Sequence, residues 1–407
     1  VIKLQDKTPI FVSLIIMIAA QIGTNFYLVA LPQVARYFEV ASSIVLDTLY
    51  YYLIPYGFCQ LFIAPFINRL GFKSTAMIGF LIFVVGVLMI IFAPSILFFS
   101  LGRTVQGFGG AIIYVIIRML IQRSYTPEET NIAFSIVESF AMATPIIAPI
   151  VGAYLLKFLD WRGLFYFILL YCIFAVFMLS RLMKNHKIYP TPKLKTIVKG
   201  YAELLKNWSY SRFLISALAI CMPTFFCLAI VPFILNDRFG LVATQYSFVM
   251  SLCVVGSFFG SVFSKFANER GFKSKLIRFA TILLCLNGFT LFFAQLNGFF
   301  PILFFIPICI IVFFCYGSIF PNVMADSFKQ VPNKTGLEVA LIGFFQVAGS
   351  AIMNFLITRF IPVPENALSF IFIFASIIIF FSYKIPKKSP KKEPLWSSIN
   401  FLKKRLT

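Results

Sequence analysis

Residues 66–74 read Phe66-Ile67-Asn68-Arg69-Leu70-Gly71-Phe72-Lys73-Ser74, and residues 266–274 read Phe266-Ala267-Asn268-Glu269-Arg270-Gly271-Phe272-Lys273-Ser274. Each copy is a short polar turn around a glycine, and each follows the second long apolar run of its half of the chain. Pro32, after the first run, is matched at the same offset by Pro232. The repeat makes the chain two halves of one design. Two like-oriented halves suit a transporter that rocks about a site at the midplane of a membrane.

The sequence outside the repeat agrees. Of the 407 residues, 60% are apolar and 12% charged, with a mean hydropathy of +0.93. Soluble domains hold about 45–50% apolar and about 25% charged residues. A water-soluble enzyme is excluded, and so is a disordered chain, which needs low hydrophobicity. The apolar runs are continuous, unlike the alternating segments of about ten residues that build a transmembrane barrel. An all-α polytopic membrane protein is expected, with twelve spans of about 20 residues. They fall near 10–31, 47–67, 75–93, 97–117, 130–155, 163–183, 212–235, 245–265, 275–294, 300–325, 335–359 and 366–383. The first run continues into Thr24-Asn25-Phe26-Tyr27 without a small-residue cleavage site, so it reads as a span and not a removed signal.

The net charge is +21. The basic residues lie between apolar runs, which points to membrane orientation and not to nucleic acid. With the first residue inside, 29 of the 35 Lys and Arg fall in inner segments and 5 in outer loops, while Arg103 lies within span 4. Both termini are therefore expected in the cytoplasm. The expected organisation is a six-span bundle over 1–183, a linker over 184–211, a second bundle over 212–383 and a basic tail over 384–407. In the linker, Leu194, Ile197, Val198, Tyr201, Leu204, Leu205 and Trp208 recur at helical spacing with lysines between, which predicts a basic helix on the inner membrane surface. The tail residues Leu395, Trp396, Ile399 and Leu402 repeat that pattern. The eight cysteines sit in apolar runs without metal-type spacing and read as small core residues. His186 is the single histidine, so no zinc site and no cofactor are expected.

Several motifs carry a family resemblance. Gly57-Phe58-Cys59-Gln60 leads into the Ala64–Lys73 turn. Arg103-Thr104-Val105-Gln106-Gly107-Phe108-Gly109-Gly110-Ala111 follows in span 4, Thr144-Pro145-Ile146-Ile147-Ala148-Pro149-Ile150-Val151-Gly152 in span 5, and Asp160-Trp161-Arg162 stands before span 6. With Thr24-Asn25-Phe26-Tyr27-Leu28, they resemble the major facilitator superfamily and, within it, the bicyclomycin-resistance (Bcr/CflA) branch of drug exporters. The resemblance implies secondary active transport across a bacterial inner membrane by a monomer, usually export of amphipathic drugs against entering protons. This chain departs from the pattern at Asn25, where the helix 1 signature carries an acid, and at Asn68, where the loop carries Asp. Asparagine hydrogen-bonds but does not titrate in this range.

Charges inside a bilayer cost about 2.5–3.5 kcal/mol even on the lenient insertion scale, so they are the first candidates for chemistry. Glu138 lies about 16 Å along span 5 from its Thr126-Pro127-Glu128-Glu129 start, at about 1.5 Å per residue, on the face of Met142, Pro145, Pro149 and Gly152. It reads either as a proton carrier or as a static partner of an arginine. Arg103 shares a face with Gly107, Gly110 and Tyr114. It reads either as a coupling residue beside the cavity or as a donor to backbone carbonyls of span 1. Asn25 and Gln60 are candidates for the substrate pathway or for bonds between helices, and Gln346, Asn354 and Asn287 are weaker ones. Asn68, Arg69, Gly71 and Lys73 form the expected gating turn. Pro145 and Pro149 are expected to kink span 5. Gly256 and Gly260 form a small-residue packing face in span 8. Thr335-Gly336-Leu337-Glu338 reads as a helix start.

No phosphate loop, HExxH or nucleophile elbow is present in the sequence. The expected function is export with small-molecule substrate, protons and membrane lipid as partners, and no nucleic acid. The alternative is a facilitator-type importer or exchanger of a metabolite, which the neutral Asn25 and Asn68 favour. A membrane enzyme or receptor is the third reading.

Overall fold

The structure is a computed structural model that describes residues 7–183, 194–298, 301–331, 336–361 and 364–384. Backbone polar groups in hydrocarbon must bond within the chain, and the apolar runs accordingly fold as helices. Among the described residues twelve long helices are present. Spans 1 to 6 are Thr8–Tyr37, Ser42–Leu70, Phe72–Ile91, Ile96–Ser124, Pro127–Leu155 and Trp161–Leu182. A linker helix, Leu194–Lys206, precedes spans 7 to 12: Trp208–Arg238, Ala243–Glu269, Lys273–Leu296, Ile302–Lys329, Leu337–Phe360 and Pro364–Lys384. Among the described residues, ten helices are long and apolar enough, by length and composition, to cross a membrane. Spans 2 and 5 are each 29 residues long.

Most helices extend past the limits expected from hydropathy, because their capped polar ends continue the helix beyond the apolar run. Thr126 and Glu129 form the capping box of span 5, as the sequence predicts. Ser95 accepts from the Phe98 amide at the start of span 4, and Asp160 from the Gly163 amide at the start of span 6.

The two halves repeat one packing scheme. Span 2 packs on span 4 as span 8 does on span 10. Spans 1 and 3 pack on spans 4 and 6, as spans 7 and 9 pack on spans 10 and 12. The halves meet mainly through two pairs, span 2 with span 11 and span 5 with span 8, which the pseudo-twofold relation exchanges. Each half also interrupts its first span beside the matched proline. Span 1 tightens to a 3-10 turn over Tyr27–Ala30 before Pro32, and span 7 widens to a π turn over Ile234–Arg238 after Pro232. Gly71 alone joins span 2 to span 3, at φ 82 and ψ 165, and Gly271 turns at φ 75. Side-chain-bearing residues avoid this region.

Small residues set the close contacts. A Cβ on Gly256 would stand 2.7 Å from the Ile310 carbonyl oxygen, and Gly260 lies still closer to that of Phe314, so the expected face of span 8 packs on span 10. All eight cysteines are free thiols.

Three prolines tie elements together. Proline has no N–H, so it leaves the carbonyl four residues earlier without its helical partner. Pro65 frees Leu61, whose oxygen accepts from the Tyr201 hydroxyl of the linker helix at 2.8 Å. Pro145 frees Ala141, whose oxygen accepts from Gln21 of span 1 at 3.3 Å. Pro321 frees Gly317, whose oxygen accepts from Ser261 of span 8 at 3.4 Å. Burial, and then the charge of Glu338, push the Tyr201 phenol above its ordinary value, so it remains a donor at physiological pH.

The linker helix differs in part from expectation. Ile197, Tyr201 and Leu204 are buried against the protein, while Leu194, Val198 and Leu205 are exposed, and Trp208 begins span 7. The apolar arc is wide enough for one side to pack on spans 2 and 11 and leave the other free. The tail over 385–407 and the segment 184–193 with His186 lie outside the described residues.

Replacing Gly71 by Ala is expected to destabilise the protein by about 1–3 kcal/mol, the usual cost of a side chain held in this backbone region. Thermal unfolding of the detergent-solubilised variant checks it; an unchanged midpoint would show that the turn relaxes freely.

Candidate functional site

The most polar buried cluster of the first half surrounds Arg103, the eighth residue of span 4. Its side chain is fully buried. Nη1 donates to the Gly23 carbonyl at 3.1 Å and to Gln106 Oε1 at 2.6 Å. The guanidinium stacks over Tyr27 at 4.5 Å and over Tyr52 at 4.3 Å, measured to the ring centroids. Each such stack contributes about 0.5–2 kcal/mol. Arg103 Nε and Nη2 and Gln106 Nε2 have no hydrogen-bond partner among the described residues. The donor-to-carbonyl reading of Arg103 is thus realised at Gly23, and none of its partners among the described residues is a carboxylate.

Neighbouring glycines bring the helices together here. Gly107 lies against the Tyr52 carbonyl, and a Cβ on Gly110 would stand 2.8 Å from the Tyr52 hydroxyl. A row of rings follows along spans 2 and 4. Tyr52 stacks with Tyr56 at 5.8 Å, Tyr56 meets Tyr114 at 6.0 Å, and Arg118 covers Tyr114 at 5.1 Å while its Nη2 donates to the phenol at 3.2 Å. Tyr56 and Tyr114 are half-buried. Sequence reading singled out Arg103 and Tyr114 but missed Tyr27, Tyr52 and Tyr56. The signal for the last two was their i, i+4 spacing, which puts both rings on one helical face.

The polar stripe of span 1 is bonded internally. Asn25 donates to the Gln21 carbonyl and to Gln21 Oε1, each at 3.0 Å, and Gln21 passes its own amide to Ala141 of span 5. Thr24 donates to the Tyr52 hydroxyl at 3.1 Å. Gln60 is buried beside Gly343, where spans 2 and 11 meet. Gly152 backs onto span 1, with Phe26 and Val29 as neighbours. Pro145 and Pro149 lie within one continuous helix. Glu138 is the twelfth residue of that helix, and its side chain lies outside the described residues. Asn287 donates to Ile308 O at 2.9 Å and Asn354 to Met222 O at 3.0 Å, which makes both ties between helices. Gln346 is half-buried in a π turn over Phe345–Gly349 of span 11. Glu338 accepts from the Gly336 amide at 3.2 Å, as a helix-start residue does; Thr335 lies outside the described residues.

The two copies of the repeat are locked differently. Asn68 accepts a short hydrogen bond from Arg123, and Lys73 donates to the Ser180 carbonyl at 2.8 Å. Arg69 is exposed. In the second copy Lys273 pairs with Asp326 at 2.6 Å, and Asn268 donates to Asn322 at 3.0 Å. The first turn is therefore held by a neutral acceptor and the second by an ion pair.

At the face opposite the linker helix, polar contacts tie one half to the other. Asp47 pairs with Arg359 at 2.5 Å, Arg36 donates to Asn236 at 3.1 Å, and Tyr246 donates to the Val29 carbonyl. Beside them, a vestibule of about 290 Å³ is walled by Arg36, Glu39, Ser42 and Asp237.

Two alike bundles, joined by exchangeable span pairs and enclosing a polar aromatic row, define a polytopic membrane transporter. The chain belongs to the Major Facilitator Superfamily, whose family model matches residues 13–354. It is similar to multidrug resistance protein D of Escherichia coli (23% identical, covering 93% of this chain and 95% of that protein). It is also similar to a bicyclomycin resistance protein homolog of Haemophilus influenzae (26% identical, covering 87% and 90%). These relatives agree with the branch that the motifs resemble. Among solved structures, a peptide transporter POT matches with a TM-score of 0.75 over 92% of this chain and 93% of its own, at 12% identity. A D-xylose-proton symporter matches with a TM-score of 0.70 over 94% and 99%, also at 12% identity. Both likenesses concern the fold.

An ion pair with a half-exposed partner is worth at most about 1 kcal/mol. Asp47→Asn is therefore expected to shift the equilibrium toward opening at this face by up to about fivefold. Maleimide labelling of a cysteine placed in the vestibule by Ala35→Cys, with and without Asp47→Asn, measures the shift; equal labelling rates would remove the pair from the gate.

Proposed function

We propose that this transporter exports amphipathic drug-like compounds across the bacterial inner membrane in exchange for protons, by alternating access between the bundles 1–183 and 212–383. The observation that carries the reading is the pair of exchangeable contacts, span 2 with span 11 and span 5 with span 8, between two halves of one design. Likeness to named drug-resistance proteins over most of both chains supports export of drug-like solutes.

In this reading the linker helix and both termini face the cytoplasm, where basic residues concentrate. The linker helix lies at the membrane surface, where the exposed Leu194, Val198 and Leu205 meet lipid. The chain works as a monomer, performs no bond-making chemistry and needs no cofactor. The Asp47–Arg359 and Arg36–Asn236 contacts close the outer face. Asn68 and Lys73 release span 3 from its neighbours as the inner face opens, and Gly71 supplies the hinge. Glu138 carries the proton. It is an ionisable residue twelve residues into span 5, and such a residue within a span is a functional candidate by default. Protonation then shifts the balance between inward-facing and outward-facing forms.

A metabolite facilitator or exchanger is the second reading. The neutral Asn25, whose amide is spent on Gln21, favours it.

Proteoliposomes with an imposed pH gradient separate the two. Export driven by the gradient in the wild type, lost in Glu138→Gln with ligand binding retained, is the expected result. Transport that ignores the gradient in the wild type would leave the facilitator reading. Unchanged pH dependence in the variant would remove Glu138 from the mechanism.

A further inference from the structure

Resting on the reading of alternating access, we propose that the linker helix is a docking surface for anionic phospholipid headgroups of the inner leaflet. Lipid seated there holds the inner face closed through Tyr201.

The helix Leu194–Lys206 has three distinct sides. At about 100° per residue, Ile197, Gly200, Tyr201 and Leu204 point to one side, and all four are buried. Leu194, Val198 and Leu205 form the adjoining flank and are 61%, 50% and 45% exposed. Lys195, Lys199 and Lys206 stand beyond that flank, opposite the buried side, and are exposed. Glu203, the carboxylate of this helix, lies on the edge away from the apolar flank. An apolar flank bordered by lysines fits the boundary between acyl chains and headgroups, where the lysine stems reach out to phosphates. The surface is net positive, which favours anionic over zwitterionic lipid. Each lysine near such a surface raises association about fivefold.

The buried side is anchored mainly to the second half. Asn207, just past the helix, donates to the Gln330 carbonyl at 3.3 Å. Gly200 faces the start of span 11, where a Cβ would stand 2.6 Å from Leu337 Cδ1. Tyr201 is the exception, because its hydroxyl crosses to the first half and donates to the Leu61 carbonyl at 2.8 Å. Leu61 and Leu337 belong to the linker-side portions of spans 2 and 11, the pair that joins the halves. When the bundles rock to open the inner face, those portions part and the Tyr201–Leu61 bond breaks with them. Leu61 then loses the donor that Pro65 already denies it within span 2. The bond is a hook across the inner gate.

Lipid and hook act on the same helix. A helix of 13 residues is marginal by itself in water, so it depends on the support of its surroundings. The protein holds one side and lipid the next. Lipid that orders the helix favours the hooked, inner-closed form, and by linkage the hooked form binds lipid better.

The test reads seating and gating separately on the full-length protein. An environment-sensitive bimane on Ala202→Cys, between the apolar flank and the lysines, follows titration of the detergent-solubilised protein with dioctanoyl phosphatidylglycerol, dioctanoyl phosphatidylcholine or inorganic phosphate. Phosphatidylglycerol is expected to bind at least about tenfold more tightly than phosphatidylcholine, and phosphate to leave the signal unchanged. Replacing Lys195, Lys199 and Lys206 together by Gln is expected to abolish that preference. Maleimide labelling of Ala35→Cys in the outer vestibule, in nanodiscs with and without phosphatidylglycerol, reads the gate. Labelling is expected to be about threefold faster with phosphatidylglycerol, because an inner face held closed favours an open outer one. Tyr201→Phe is expected to keep the lipid preference and lose the effect on labelling. Equal binding of the two lipids, or an equal response to inorganic phosphate, overturns anionic lipid as the occupant. Lipid-independent labelling in the wild type, or an unchanged lipid effect in Tyr201→Phe, overturns the hook. Each of these results leaves the export reading standing, which fails instead if proteoliposomes of either lipid composition export no drug.

Discussion

A polar group inside hydrocarbon must find its partner within the protein, and this constraint shapes the molecule at every scale. It makes the apolar runs helices. It also makes every proline inside a span a potential docking point, because the carbonyl released one turn earlier still needs a donor. Leu61, Ala141 and Gly317 are such carbonyls, and they receive Tyr201, Gln21 and Ser261. One bond ties the linker helix to span 2, one ties span 1 to span 5, and one ties span 8 to span 10. Prolines that weaken individual helices thereby join different ones.

Among the described residues Arg103 meets the same constraint through aromatic faces and neutral oxygens. Its charge is spread over two tyrosine faces, a carbonyl and an amide oxygen. Stacking of this kind stabilises a guanidinium while leaving its field in place. The glycines at 107 and 110 make the arrangement geometrically attainable by letting span 4 approach span 2.

The halves share a packing scheme but have diverged in their locks. The Asn68 turn relies on hydrogen bonds from cationic donors, and the Lys273 turn on a close ion pair. A neutral acceptor gives up a charged donor at less cost than a carboxylate does, so the first turn is the easier one to open. At the opposite face the connections run between halves, through Asp47, Arg36 and Tyr246. Two sets of polar contacts at two faces are what an alternating opening requires.

The repeated turn, the apolar run lengths and the capping box at Thr126 were legible because they depend on local chemistry and on the bilayer's thickness. Arg103 was legible as a costly charge, and Gly71 as a turn residue. The sequence by itself therefore determined the number of spans, the two-half design and which buried charges need explanation. Only the tertiary structure decided their partners. Asp47 with Arg359 and Tyr201 with Leu61 lie 312 and 140 residues apart, and no periodicity relates them. Tyr27 and Tyr52 became partners of Arg103 because helix packing sets the distance between faces, and packing depends on many side chains at once.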